Sequence, residues 1–385
     1  MGLVAAAAAI VAVAGLVYLR PAPAPAARPA PRVPAPPADT QLIDAAFTDT
    51  RHGTVTMATP AGGLATYVTS DGGRTWRAEQ SRARYSLNGG SVLVEVPLRQ
   101  PGGGRRLSLD GGRTWRPVQL PQGTVGPIAF ADDVHGWVLA MRARQEEPDE
   151  RPLLWRTNDG GWTWVSAAGA GLPPVWPAAQ LAFADPAHGV LVTGPFVGDQ
   201  TVAVTDDGGE TWRPSIGLRS SVPGFGPLRV SVLRRGGRLL AWLTLVAADQ
   251  VDAQGRLVLA SPDERFRYQE LRYASDDGGR TWSAGVPGPP LMVRTLAGEP
   301  VLDDRGRLLL FEDRRLWVSE DDGASWTARV AQLPADIASA SVVRAAGGAL
   351  LAAGVRVGSR LPVVRALLLS ADGGAHWTEI RPPGG

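Results

Sequence analysis

Apolar positions along this chain fall into two patterns. Residues 3–19, LVAAAAAIVAVAGLVYL, form one unbroken run without a charge. At about 1.5 Å per residue, a helix of this length reaches roughly 25 Å, the short end of a membrane span. Residues 21–38, PAPAPAARPAPRVPAPPA, are too rich in Pro and Ala to build a core and favour an extended spacer. Beyond residue 41 the apolar residues come in short runs, such as Trp137-Val138-Leu139 and Val190-Leu191-Val192, broken by Gly-rich turns. That punctuation predicts strands. The expected organisation is a signal-anchor helix over 1–20, a linker over 21–40 and one β domain over 41–385.

One turn recurs seven times. Residues 69–76 read TSDGGRTW, and related octamers occupy 108–115, 157–164, 205–212, 275–282, 319–326 and 370–377. Their shared acids are Asp71, Asp110, Asp159, Asp207, Asp277, Asp321 and Asp372, each followed five residues later by Trp76, Trp115, Trp164, Trp212, Trp282, Trp326 and Trp377. The acids are separated by 39, 49, 48, 70, 44 and 51 residues. That period fits one four-stranded blade per turn, with an insertion in the fifth. The leading Ser or Thr and the Asp suit capture of turn amides. The Gly pair suits positive φ. A Trp wedged between blades predicts a cost of about 3–5 kcal/mol for Trp164→Ala. A second motif, Phe-x-Asp-x-x-His-Gly, occurs at 47–53, 130–136 and 183–189, and predicts the hairpin between the first two strands of a blade. The fold class expected is all-β, a seven-bladed β-propeller of four-stranded antiparallel blades.

The octamer resembles the Asp-box, or BNR, repeat, and the resemblance covers residues 46–380. It implies that the box joins the third and fourth strands on the face opposite a sialidase active site, so that these Asp residues are architectural. The pairing of Phe-x-Asp-x-x-His-Gly with the box is similar to the photosystem II assembly-factor type of propeller. That group is widespread in bacteria that do not photosynthesise, so the likeness implies no photosystem role.

Charge narrows the chemistry. The net charge is +2, every basic residue is Arg, and after residue 40 there are 36 Arg against 36 acids. No basic excess for nucleic acid follows from that balance. Arg20, Arg28 and Arg32 follow the apolar run, which positive-inside logic would keep cytoplasmic; the tethered domain is nevertheless expected outside the cytoplasm. With no Cys, thiolate ligands and nucleophiles are excluded. One carboxylate per box is too few for Ca²⁺, and three equivalent His on separate blades do not converge on one ion. The domain is expected to act without cofactor or metal, as a monomer.

For function, a sialidase would need three Arg, a Tyr–Glu nucleophile pair and an acid. The Phe-Arg-Ile-Pro-type motif of that group is absent from the first blade. Tyr268 and Glu270, alternating on one strand, are the one pair left for such a role. A binding rim is expected in two charged loops, from Arg142, Arg144 and Glu147 and from Arg265, Arg267 and Tyr268. The leading expectation is a non-catalytic scaffold for a protein or glycan ligand, with a sialidase-like glycoside hydrolase as the alternative.

Overall fold

The computed structural model describes residues 41–381 apart from 59–63, 80–81, 88–91, 98–103, 111, 122–125, 141–152, 176–178, 195–199, 216–217, 219–221, 254–256, 259–264, 294–298, 313 and 357–364. The expected anchor helix and linker lie outside the described residues.

Seven antiparallel sheets of four strands each follow one another along the chain, and every sheet is built from four consecutive strands. The domain is a seven-bladed β-propeller. Blade one runs from Gln41–Phe47 to Arg77–Glu79 and blade seven from Ile337–Ala346 to Thr378–Ile380. Blade five carries the long strands, Phe225–Arg235, Arg238–Ala247 and Phe266–Ser275, and its fourth strand extends to Val293. Its pairing with the third strand runs through a register shift between Gln269 and Leu271.

Among the described residues no strand is exchanged between blades one and seven. Ala45, Phe47, Val55 and Tyr67 of blade one share a core cluster with Leu351, Leu367, Leu369 and Ile380 of blade seven. Ring closure is therefore side-chain packing between two complete sheets, driven by removal of apolar surface from water.

The seven boxes are built alike. In the first, the Thr69 hydroxyl donates to Asp71 Oδ1 (2.8 Å) and accepts from the Gly73 amide (2.9 Å). Asp71 also accepts from the Thr75 amide (2.9 Å) and hydroxyl (2.6 Å). In the last box His376 stands in the Thr position and its Nδ1 meets Asp372 Oδ2 at 2.5 Å. The hydroxyl and amide of the residue before each Trp hold Asp71, Asp159 and Asp321 down to about 2.

The second box glycine has a further role. A Cβ on Gly73 would lie 2.7 Å from Ile380 of blade seven, and one on Gly209 would lie 2.5 Å from Leu154 of blade three. Each box thus presses bare backbone onto the preceding blade. The box Trp is less uniformly interior than its sequence role implies. Trp212 and Trp377 are buried, but Trp76, Trp115, Trp164, Trp282 and Trp326 are half-buried. The expected cost of Trp164→Ala accordingly sits at the lower end of its range, about 3 kcal/mol.

Candidate functional site

Box turns and first hairpins share one end of the propeller. The amides of Gly72, Gly160 and Gly208 donate to the carbonyls of Arg51, Val134 and Ala187 in the first hairpins of the same blades. Contacts between non-neighbouring blades tie this end across the axis. Arg234 of blade five donates to the Phe130 and Ala131 carbonyls of blade three. Arg113 of blade two meets Asp304 of blade six at 3.2 Å, and Asp304 also accepts from the Gly348 amide of blade seven.

All four His residues lie at this end. The rings of His52, His135 and His188 each contact the Asp three residues earlier through Nδ1, at 2.9, 2.7 and 2.7 Å. Each Asp also accepts its own hairpin amides, as in His52 N and Arg51 N to Asp49 Oδ1. These are local turn clamps. The Gly that closes the motif is required by packing: a Cβ on Gly53 would fall 2.6 Å from the Phe47 ring. This end also exposes Trp162, 53% accessible, in the box of blade three. The same position holds Arg74, Arg113, Glu210, Arg280, Ala324 and Ala375 in the other boxes.

The opposite end holds the polar groups that strands carry inward. In blade five, Arg229, Thr244 and Glu270 stand on one rung across three strands. The Thr244 hydroxyl donates to Glu270 Oε1 at 2.9 Å. Arg229 Nε approaches Glu299 of blade six at 3.5 Å, and Glu299 accepts from Gln180 of blade four at 3.3 Å. Tyr268 lies two residues from Glu270 on the same face. Tyr268 is 2% exposed and Glu270 1%, so as folded neither reaches a solvent-borne substrate. Burial pushes the Glu270 carboxyl up to about 7 against the opposing pull of Arg229 and Thr244. Burial raises the Tyr268 phenol as well. The Tyr268 hydroxyl and Glu270 Oε2 meet no hydrogen-bond partner among the described residues.

Blade two has its own cluster. Arg82 and Arg84 place Nε 3.0 and 3.3 Å from the buried Glu95 carboxylate, and Arg106 stands at 3.8 Å. Three guanidiniums converge here, as a carboxylate-binding enzyme would need, but on an internal acid. Arg84 and Arg106 also lie 5.1 and 5.9 Å from the Trp115 ring centroid.

Of the expected rim, Arg142, Arg144 and Glu147 lie outside the described residues. Arg265 is exposed. Arg267 pairs with Asp249 at 2.5 Å, and buried Gln250 bridges the Arg265 carbonyl and Arg267 amide, both at 2.8 Å. Tyr268 belongs to the core and does not join them. Sequence reasoning passed over Glu95, Arg229, Glu299 and Gln180. The one signal for the first two was a charge inside an apolar alternation, VLVEVP and PLRVSV.

Residues 273–284 match the family model described as BNR/Asp-box repeat. No curated protein matches the chain in sequence. Among solved structures, the chain is similar to YCF48 bound to a D1 peptide, at 16% identity over 90% of this chain and 82% of that one, TM-score 0.36. It is also similar to an ancestral GH74 enzyme, at 15% identity over 88% of this chain and 46% of that one, TM-score 0.46. A third likeness is to α-L-arabinanase of Penicillium chrysogenum, at 13% identity over 87% of this chain and 96% of that one, TM-score 0.37. The architecture of this chain rests on its own strand pairing, and these likenesses add nothing about activity.

Proposed function

We propose that this propeller is a non-catalytic binding scaffold, taking a protein or glycan ligand and held at a membrane by residues 1–20. The observation that carries the reading is the burial of Tyr268 and Glu270. A Tyr–Glu nucleophile pair must touch its substrate, and these two are closed inside blade five. The convergence of Arg82, Arg84 and Arg106 on Glu95 supports it too, because an internal carboxylate already occupies the place of a substrate acid. Exposed Trp162 is the kind of side chain that anchors a partner. The test is hydrolysis of a fluorogenic sialoside by the full chain and by Tyr268→Phe. No turnover is expected from either. Turnover in the parent that Tyr268→Phe abolishes would overturn the proposal.

The second reading, a sialidase-like glycosidase, is favoured by one observation. A carboxyl pushed up to about 7 is close to half protonated at neutral pH, so it can give or take a proton there. The same assay decides it. The tether and an extracytoplasmic propeller are tested by protease treatment of intact spheroplasts; complete protection of the domain would refute that placement.

A further inference from the structure

The seam between blades one and two holds a cavity of about 120 Å³, whose lining includes Ala46, Thr54, Val68, Arg84, Leu93 and Trp115, with exposed His52 at its edge. The repeat explains why a space is there. Gly53, Thr54, Gly112 and Trp115 correspond, motif for motif, to Gly136, Trp137, Gly209 and Trp212 at the seam between blades three and four. In that seam Trp137 stacks on Phe183, with ring centroids 3.6 Å apart and planes 3° from parallel. Its indole N–H donates to the Gly208 carbonyl of the neighbouring box at 2.8 Å, and Trp212 meets Phe183 edge to face at 6.2 Å. At the first seam Thr54 stands in the place of Trp137. By strand register the position of Phe183 falls on Leu87, which pairs with Val92 as Phe183 pairs with Gly189. Two aromatic rings that fill one seam are thus missing from the other, while the box Trp that packs against them is retained.

We propose that this slot is a binding site for a single flat aromatic ring, supplied either by a small molecule or by the side chain of a partner. The volume supports one ring: an engineered cavity of about 150 Å³ in another protein takes up benzene. Trp115 lines the slot with Arg84 5.1 Å from its ring centroid, and Arg84 and His52 beside it favour a ring with a polar edge over plain hydrocarbon. The inference goes beyond the scaffold reading and does not depend on it, because the slot lies between blades one and two, away from Tyr268 and Glu270 in blade five.

The test is titration of the full chain with indole and with N-acetyl-tryptophanamide, followed by ligand-observed NMR. Saturable binding of indole is expected, with Kd on the order of 0.1–1 mM, within reach of so small a ligand. Thr54→Trp supplies the ring in cis, as Trp137 does, and is expected to weaken binding at least about tenfold. Leu93→Phe fills the slot from the other blade and serves if Thr54→Trp does not fold. Thr54→Ser keeps the hydroxyl that donates to the Ala46 carbonyl and adds no ring, so it is expected to bind within about twofold of the parent. Binding of both probes assigns the slot to exposed side chains as well as free ligands; binding of indole alone assigns it to small molecules. Absence of saturable binding to the parent, or equal binding by a folded Thr54→Trp or Leu93→Phe, would overturn the proposal.

Discussion

Trp212→Ala tests the claim that box tryptophans hold neighbouring blades together. Trp212 is 5% exposed and belongs to a cluster with Trp137, Leu154 and Leu181, drawn from blades three and four. Its ring meets Phe183 edge to face, and its indole donates to the Gly209 carbonyl at 3.2 Å. Its backbone amide donates to Ala170, in the segment that leaves blade three, at 2.7 Å; that bond survives truncation. Removing a buried indole costs about 3–5 kcal/mol, including its cavity. The lost aromatic contact and hydrogen bond place this site in the upper half of that range, about 4 kcal/mol. Unfolding entropy of roughly 2.1 cal/mol/K per residue over about 340 residues gives about 0.7 kcal/mol/K, so the midpoint falls by about 6 °C. Differential scanning calorimetry reads this directly. Trp164→Ala, at a half-buried site, provides the internal control with a shift of about 4 °C. A Trp212→Ala shift no larger than that of Trp164→Ala would refute the link between burial and blade fastening.

Other consequences are equally open to measurement. Glu270 favours its neutral form in the fold, so its contribution is full below about pH 4.3 and is lost as pH rises through about 7. Glu270→Gln should therefore raise stability at pH 8 by about 3 kcal/mol while leaving it unchanged at pH 4, as urea unfolding at the two pH values will show; equal effects at both would contradict the buried-acid account. The box acids work in the opposite sense: Asp71, Asp159 and Asp321, held near 2, stabilise above about pH 4 and lose that contribution as pH falls through about 2. Acid unfolding followed by circular dichroism should accordingly begin at higher pH in Asp71→Asn than in the parent. Asp322 has φ of 60° where most boxes place glycine, and it pairs with Arg235 and Arg238 of the preceding blade. Asp322→Ala keeps the strained backbone and loses both pairs, so it should destabilise by about 1–3 kcal/mol, and more than Asp322→Gly, by thermal melting.

Blade number and box position were legible because both are local: a Ser or Thr, an Asp and two glycines close a turn using only their own amides. The first hairpins were legible in blades one, three and four for the same reason, through Asp49, Asp132 and Asp185. The polar clusters were not. Arg229, Glu299 and Gln180 come from three blades and are brought together only when the sheets are arranged around an axis. Tyr268 and Glu270 show the limit from the other side. Strand alternation places them on one face, but nothing in alternation says whether that face looks onto solvent or onto the next blade.

By itself, then, the chain's residue pattern determined a ring of seven sheets, the turn that ends each third strand, and the absence of thiol chemistry, since each of these follows from residue type and short-range spacing. The tertiary structure decided the rest: which tryptophans are interior, which carboxyl is shielded from water, that the second box glycine is a landing pad for the preceding blade, and that one seam lacks the rings that fill another. Those properties depend on distances between residues far apart in the chain, and such distances exist only once apolar surface has been removed from water and the sheets have closed upon each other.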